Sequence, residues 1–389
     1  MEKVRFAWMA THPIQYQAPL LREIASLQDI DLTAIFFSDF SVREFTDKEF
    51  GKPITWDTPL LEGYKHIFLS SLDGGIEEIK TFQPFIFGLR KLLTKRNFDA
   101  VLVQGWNHYG MVLAAWLAKR AGLKVLLRCE ATDHVASSTG LKGWIRERLI
   151  QFLLEQVDFC MAIGTNNRNF YINRGVPFEK IGFMPYCVDN QFFQLESERS
   201  DLNYLRNLLG LDSNRPVLLY ASKFIHRKHP DILLDAYSSL DEPRPYLLYV
   251  GDGELAAELK SKAKELGLDE VRFLGFKNQS ELPKYYALAD IFILPSINET
   301  WGLVINEAMN AGCAIITIDS VGSSIDLVRN EINGIVLPII DKDYLVGALN
   351  KCLEQKRYIG MGKESIGIIQ GWGIQENIVG FKKALGIVN

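Results

Sequence analysis

Ser296-Ile297-Asn298-Glu299-Thr300-Trp301-Gly302-Leu303-Val304-Ile305-Asn306-Glu307-Ala308-Met309 directly follows an apolar run, Ile291-Phe292-Ile293-Leu294-Pro295, and the change of pattern between them decides the fold. The run is short and continuous, as in a parallel strand buried on both faces. After Gly302 the apolar residues take helical spacing: Leu303, Ile305, Ala308 and Met309 share a face, and Gly312 is placed to end the helix. A strand entering a helix through a tight polar turn leaves backbone N–H groups at the helix start, where the dipole also favours a phosphate. Glu299 in the turn and Glu307 in the helix flank that position. Carboxylates repel phosphate, so they suit the hydroxyls of a sugar instead. The stretch reads as a pocket for a nucleotide sugar.

Outward from this stretch the same rhythm recurs. Val4–Trp8, Leu32–Phe36, Val101–Val103, Val125–Leu127 and Phe159–Ile163 read as strands, with helices predicted over 19–26, 111–121 and 144–157. The alternation restarts at Val217–Tyr220 and runs through Tyr246–Val250, Val271–Leu274, the Ile291 strand and Ala314–Ile316. Alternating strands and helices build parallel sheets covered on both faces. A polar, charge-rich passage from Gln194 to Ser213, with a short helical piece around Leu202–Leu209, separates the halves. The expected domains are therefore 1–195 and 196–371, followed by an amphipathic segment, 372–389, marked by Trp372, Phe381 and Leu385.

The 389 residues allow two domains with real cores, and 48% hydrophobic with 23% charged residues excludes a disordered chain. A net charge of -4 and a pI near 6.0 argue against nucleic acid as the main partner. No apolar run reaches the length of a membrane span, and Met1–Val4 opens a strand without a signal-peptide profile. Cys129, Cys160, Cys187, Cys313 and Cys352 are scattered and odd in number, so buried thiols in a reducing cytoplasm are expected, and no zinc or other metal site.

Several strand ends carry chemistry. Ala221-Ser222-Lys223-Phe224-Ile225-His226-Arg227-Lys228 follows the first strand of the second half, where open α/β sheets bind ligands. Lys223 and Lys228 are expected to face a diphosphate as point charges; Arg227 is a further candidate, with Lys228 preferred because adjacent residues rarely share a direction. Gly251-Asp252-Gly253-Glu254-Leu255-Ala256 satisfies a dinucleotide fingerprint, but after the second strand of its half rather than the first. The acidic residues at the right distance, Asp269 and Glu270, precede the next strand instead of ending it, which argues against a nicotinamide cofactor. In the first half, His12 and Gln15 sit in a strand-to-helix turn where polar side chains line a cleft better than a core. His108 and Arg128-Cys129-Glu130 end two further strands, with Asp133 close behind.

The run S-x-x-E-T-W-G-L-V-x-x-E-A-M-x-x-G, with its Glu-x7-Glu pair Glu299 and Glu307, resembles the signature of retaining glycosyltransferases of family 4. Thr11-His12-Pro13-Ile14-Gln15-Tyr16 is similar to a subset of them, mostly bacterial enzymes that build glycans. The resemblance implies an α/β protein of the GT-B type, two Rossmann-like doubly wound parallel-sheet domains facing a cleft, with the C-terminal tail crossing back onto the first. It implies a nucleoside-diphosphate sugar as substrate, no cofactor and no metal. Gly251 would line the nucleotide, and backbone groups at Phe276 and Lys277 would meet the base. Glu299 would hold the donor sugar and Glu307 the ribose. Lys223, Lys228 and the N–H groups of Trp301, Gly302 and Leu303, beside Thr300, would steady the leaving phosphate. Many relatives carry a histidine bordering the transferred sugar after the strand that Arg128 ends. Here Glu130 or His108 takes that part, with His12, Gln15, Glu130 and Asp133 on the acceptor. The acceptor would be a glycan, or a lipid-linked or small molecule. Lys91, Lys95, Arg96, Lys142, Arg146 and Arg148 around apolar positions offer a peripheral contact with the inner face of a membrane, or are solvated helix faces. Two other functions use the same architecture: a sugar-nucleotide epimerase or hydrolase, and a non-catalytic nucleotide-sugar-binding subunit.

Overall fold

The computed structural model describes residues 2–47, 49–71, 79–133 and 140–387. It divides into two units: Met1–Phe45, Thr58–Tyr186 and Gly373–Asn389 form the first, Thr46–Asp57 and Cys187–Trp372 the second.

Among the described residues the first unit holds β1 (Val4–Ala10), β2 (Ile30–Phe36), β5 (Lys65–Phe68), β6 (Ala100–Gln104), β7 (Lys124–Arg128), β8 (Phe159–Ala162) and β9 (Ile181–Phe183) in the order β5-β2-β1-β6-β7-β8-β9. Between β2 and β5 the chain forms a hairpin, β3 (Phe45–Asp47) and β4 (Lys52–Ile54), in a small sheet of its own. The central strands have apolar stretches, residues 6–10, 100–103 and 125–127, because both faces are covered there. Alternate residues of β1 enter different cores: Phe6, Trp8 and Ala10 face one, Ala7 and Met9 the other. The first of these cores is closed by the helices Ala18–Ser26 and Ile374–Leu385, and Phe381 lies edge-on to Phe6 with centroids 4.7 Å apart. Burying one such ring contributes roughly 1.5–3 kcal/mol, enough to hold the C-terminal segment on this unit.

The second unit holds β10 (Val217–Ala221), β11 (Tyr246–Val250), β12 (Val271–Gly275), β13 (Ile291–Leu294), β14 (Ala314–Ile318) and β15 (Gly334–Leu337), parallel, in the order β12-β11-β10-β13-β14-β15. The chain leaves β10 in one direction for β11 and β12, then returns to β13 on its other flank. The loops after β10 and β13 therefore splay apart at the sheet's switch point, the usual place for a ligand in such sheets.

Two boundaries differ from the expectation. The expected division near Glu196 falls inside a helix, Asn190–Arg199, of the second unit, and the chain changes unit at Tyr186–Cys187 instead. The polar composition there serves an exposed helix capped by Asp189, whose carboxylate accepts from Phe192 N at 3.0 Å, rather than a linker. The second difference is the hairpin, which lies in the first half by sequence yet belongs mostly to the second unit.

Candidate functional site

The loop after β10 is folded by its neighbours. Tyr220 Oη donates to Lys223 O at 3.0 Å and to Lys228 O at 3.3 Å, tying both ends of the loop to the strand below. Phe224 N donates to Asp252 O at 2.9 Å. Gly251 has φ +139°, and a Cβ there would sit 1.9 Å from Ser222 O. The Gly-Asp-Gly turn is thus glycine-rich because the Lys223 loop presses on it, a packing reason in place of a dinucleotide one.

The loop after β13 meets this one. Ile297 N donates to Arg227 O at 2.9 Å. Gly322, from the loop after β14, buttresses the turn: its N–H donates to Glu299 O at 2.9 Å, and a Cβ would lie 1.9 Å from Thr300 O. Lys228, only 8% exposed, forms an ion pair with the Glu299 carboxylate, which also accepts from Ser296 Oγ at 3.4 Å. Burial lowers the Lys228 ammonium, and Glu299 opposes that fall. Arg227 reaches the same carboxylate at 3.8 Å. Both cations of the His226–Lys228 turn therefore reach Glu299, Lys228 the more closely.

The helix Leu303–Asn310 starts from this turn. Gly302 is its N-cap at φ +89°, and no side chain caps it; Ile305 N turns back to Gly302 O at 2.9 Å, while the N–H groups of Leu303 and Val304 have no partner within the helix, where the dipole favours an anion. Trp301 is buried, its indole Nε1 donating to Asn306 Oδ1 at 2.9 Å. Leu303 takes its place in the first turn beside Thr300. Glu307 is buried on this helix and accepts from Tyr286 Oη at 2.6 Å, and burial raises its carboxyl to about 7.

Lys223 is directed to Asp47 at 2.9 Å and Glu49 at 2.7 Å, carboxylates of the hairpin. The pull of two close negative charges accounts for this. Phe276 lies edge-on to Phe50 at 5.1 Å, and Lys277 is held 3.7 Å from Glu281. Asp47, Glu49 and Tyr286 carry no sequence signal, since each meets its partner only through the fold.

In the first unit, His12 Nδ1 lies 2.9 Å from Thr11 Oγ1 with its ring edge-on to Phe40, and burial lowers it to about 4. Gln15 is half-buried beside it. Glu130 accepts from Tyr186 Oη and, at 3.4 Å, from Tyr16 Oη. Tyr16 therefore joins this group. Arg128 donates to Met184 O at 3.2 Å and Pro185 O at 2.9 Å, which fixes the chain where it leaves the unit. His108 does not line a cleft: it is 1% exposed, Nδ1 accepts from Gly110 N at 3.0 Å as a helix cap, and Nε2 meets Pro84 O at 3.1 Å. With both ring nitrogens committed it has no free proton site. Asp133 is likewise engaged, by Arg174 at 2.6 Å and Asn173 at 2.8 Å. His134 lies outside the described residues. Among the described residues no group of three or more His, Cys, Asp or Glu side chains is placed to hold a metal ion, and all five cysteines are buried thiols.

Residues 204–364 match the family model described as glycosyl transferases group 1, and residues 78–187 match the glycosyl transferase 4-like domain. The chain is 26% identical over 337 residues, 82% of each protein, to an Escherichia coli UDP-Gal:alpha-D-GlcNAc-diphosphoundecaprenol alpha-1,3-galactosyltransferase. It is 27% identical over 205 residues to an uncharacterized glycosyltransferase of Methanocaldococcus jannaschii, and that match spans 52% of this chain and 48% of that protein. The solved structure of Anabaena HepE in complex with UDP superposes with a TM-score of 0.75 at 18% identity, covering 99% of this chain and 100% of that one. The fold of two parallel-sheet α/β domains is thus the GT-B fold.

Proposed function

We propose that this chain, a glycosyltransferase of the GT-B fold, moves a sugar from a nucleoside-diphosphate donor to a glycan or lipid-linked acceptor with retention of anomeric configuration. The observation that carries the reading is the meeting of Lys228, Arg227 and Glu299 at the amino end of the Leu303–Asn310 helix, on the switch point of the second sheet. An anion arriving there finds two cations and a row of N–H groups. As the bond from the sugar C1 to the diphosphate oxygen breaks, charge grows on that oxygen, and these groups stabilise it without a metal. Glu299, released from Lys228 by the phosphate, accepts from donor-sugar hydroxyls, and Glu307 from the ribose. The acceptor hydroxyl attacks C1 on the face the phosphate leaves, and the phosphate takes its proton. Glu130, held by two phenols, and His12, kept neutral by burial, are assigned to the acceptor.

The names of relatives support the substrate classes: one acts from UDP-Gal on a diphosphoundecaprenol-linked sugar, and another structure holds UDP and glucose. The test is transfer from a radiolabelled UDP-sugar panel to undecaprenyl-diphosphate sugars in EDTA, with the product linkage assigned by NMR. Acceptor-dependent transfer giving an α product from an α donor is expected. Donor loss independent of acceptor points to a hydrolase or epimerase, and a β product overturns the front-face step.

A further inference from the structure

The β3–β4 hairpin lies outside both matched family segments, and the proposed reaction gives it no task. Its described residues cross the carboxyl ends of β10, β11 and β12 in turn. Asp47 and Glu49 close on Lys223 at 2.9 and 2.7 Å, and Glu49 meets Arg227 Nη2 at 3.3 Å from both of its oxygens. Lys52 pairs with Asp252 of the Gly-Asp-Gly turn at 2.7 Å. Phe50 packs edge-on to Phe276 at 5.1 Å, with Lys52 Nζ 5.3 Å from the same ring. Beyond the hairpin, Thr55 O accepts from Asn278 Nδ2 at 2.6 Å, and Asp57 accepts from Ser280 N at 3.2 Å.

Two carboxylates on two cations reproduce the charge of a nucleotide sugar's diphosphate, which carries two negative charges. Arg227 is shared: it touches Glu49 on one side and Glu299 on the other. A diphosphate that takes Arg227 and Lys228 at the helix start must compete with Glu49 for the first of them. We propose that the hairpin is an anionic strap over the donor site, in which Asp47 and Glu49 occupy Lys223 and Arg227 in place of the diphosphate and are displaced when the donor binds. The strap lowers donor affinity by the strength of its own ion pairs and makes donor entry conditional on its release. Glu49 is held below its ordinary value: burial acts upward, but Lys223 and Arg227 outweigh it, so the strap keeps its charge through the neutral range.

This inference rests on the donor reading above, and the experiment separates the two. UDP, GDP and ADP are titrated by calorimetry into the wild-type chain, the D47N/E49Q variant and E299Q. Hydrogen exchange of the hairpin amides is followed with and without the tightest of the three. The strap predicts that D47N/E49Q binds that nucleotide about tenfold more tightly than wild type, the scale of a few partly exposed ion pairs. It also predicts that nucleotide speeds exchange in the hairpin of the wild type. Wild-type binding with equal or weaker affinity in D47N/E49Q overturns the strap and leaves the donor reading standing. So does hairpin exchange that nucleotide slows or leaves unchanged. No binding of any nucleotide by any of the three chains overturns both.

Discussion

Glu307 is a carboxylic acid in a place that favours its neutral form. Burial raises it to about 7 from an ordinary 4.5, and hydrogen bonds from Tyr286 and Gln279 only moderate the rise. Because its folded value lies above its unfolded one, the native chain holds an extra proton between the two. This contribution to stability is therefore present below pH 4.5, is lost as pH rises to about 7, and is level above that. The full loss is at most about 3 kcal/mol by the conversion of pKa shift to free energy. Glu307→Gln removes it, so urea midpoints measured from pH 4.5 to 8 should fall less in the variant than in the wild type. Parallel pH profiles would show that Glu307 keeps its ordinary value. The same residue explains its selection: a buried acid beside a phenol is a poor structural choice and a good acceptor for ribose hydroxyls.

Among the elements, the helix Gly140–Glu155 has two apolar faces. Ile150 and Leu153 are buried, while Leu141, Trp144, Ile145 and Leu149 are exposed, Leu141 by 73%. Lys142 and Arg148 are exposed and Arg146 is half-buried, with Arg148 5.4 Å from the Trp144 ring. An apolar stripe edged by cations suits an anionic lipid surface. This helix is therefore the place to test the expected peripheral membrane contact. In sedimentation with vesicles, the wild type should bind phosphatidylglycerol-rich membranes and release them in high salt, and W144S/L149S should bind several-fold less. Equal partition of the two chains, or no preference over phosphatidylcholine, would sink this assignment. Among the described residues no helix is long and apolar enough to cross a membrane.

The whole molecule was legible where strands are buried on both faces, and much less so at the edges. Parallel strands such as Tyr246–Val250 and Ile291–Leu294 announce themselves because every residue is apolar. β5 and β9 escaped because an edge strand needs fewer buried residues: Lys65 and His66 of β5 face solvent, and Phe183 of β9 is exposed. The turn before Leu303 and the Lys228 loop were readable because their chemistry is local. The commitment of Lys223 to Asp47, of His108 to a helix cap and of Glu130 to two tyrosines was not, since each depends on residues far away in the chain. The proposed function turns on an anion docking beside Lys228 at the start of the Leu303–Asn310 helix. Calorimetric titration of UDP, GDP and ADP into Lys228→Met tests it most directly, because the methionine keeps the buried stem and removes only the charge. Affinity for the nucleotide the wild type binds best should fall about 10- to 100-fold, the scale of one charge-assisted hydrogen bond, with the circular dichroism spectrum unchanged. An affinity within twofold of the wild type would contradict the account.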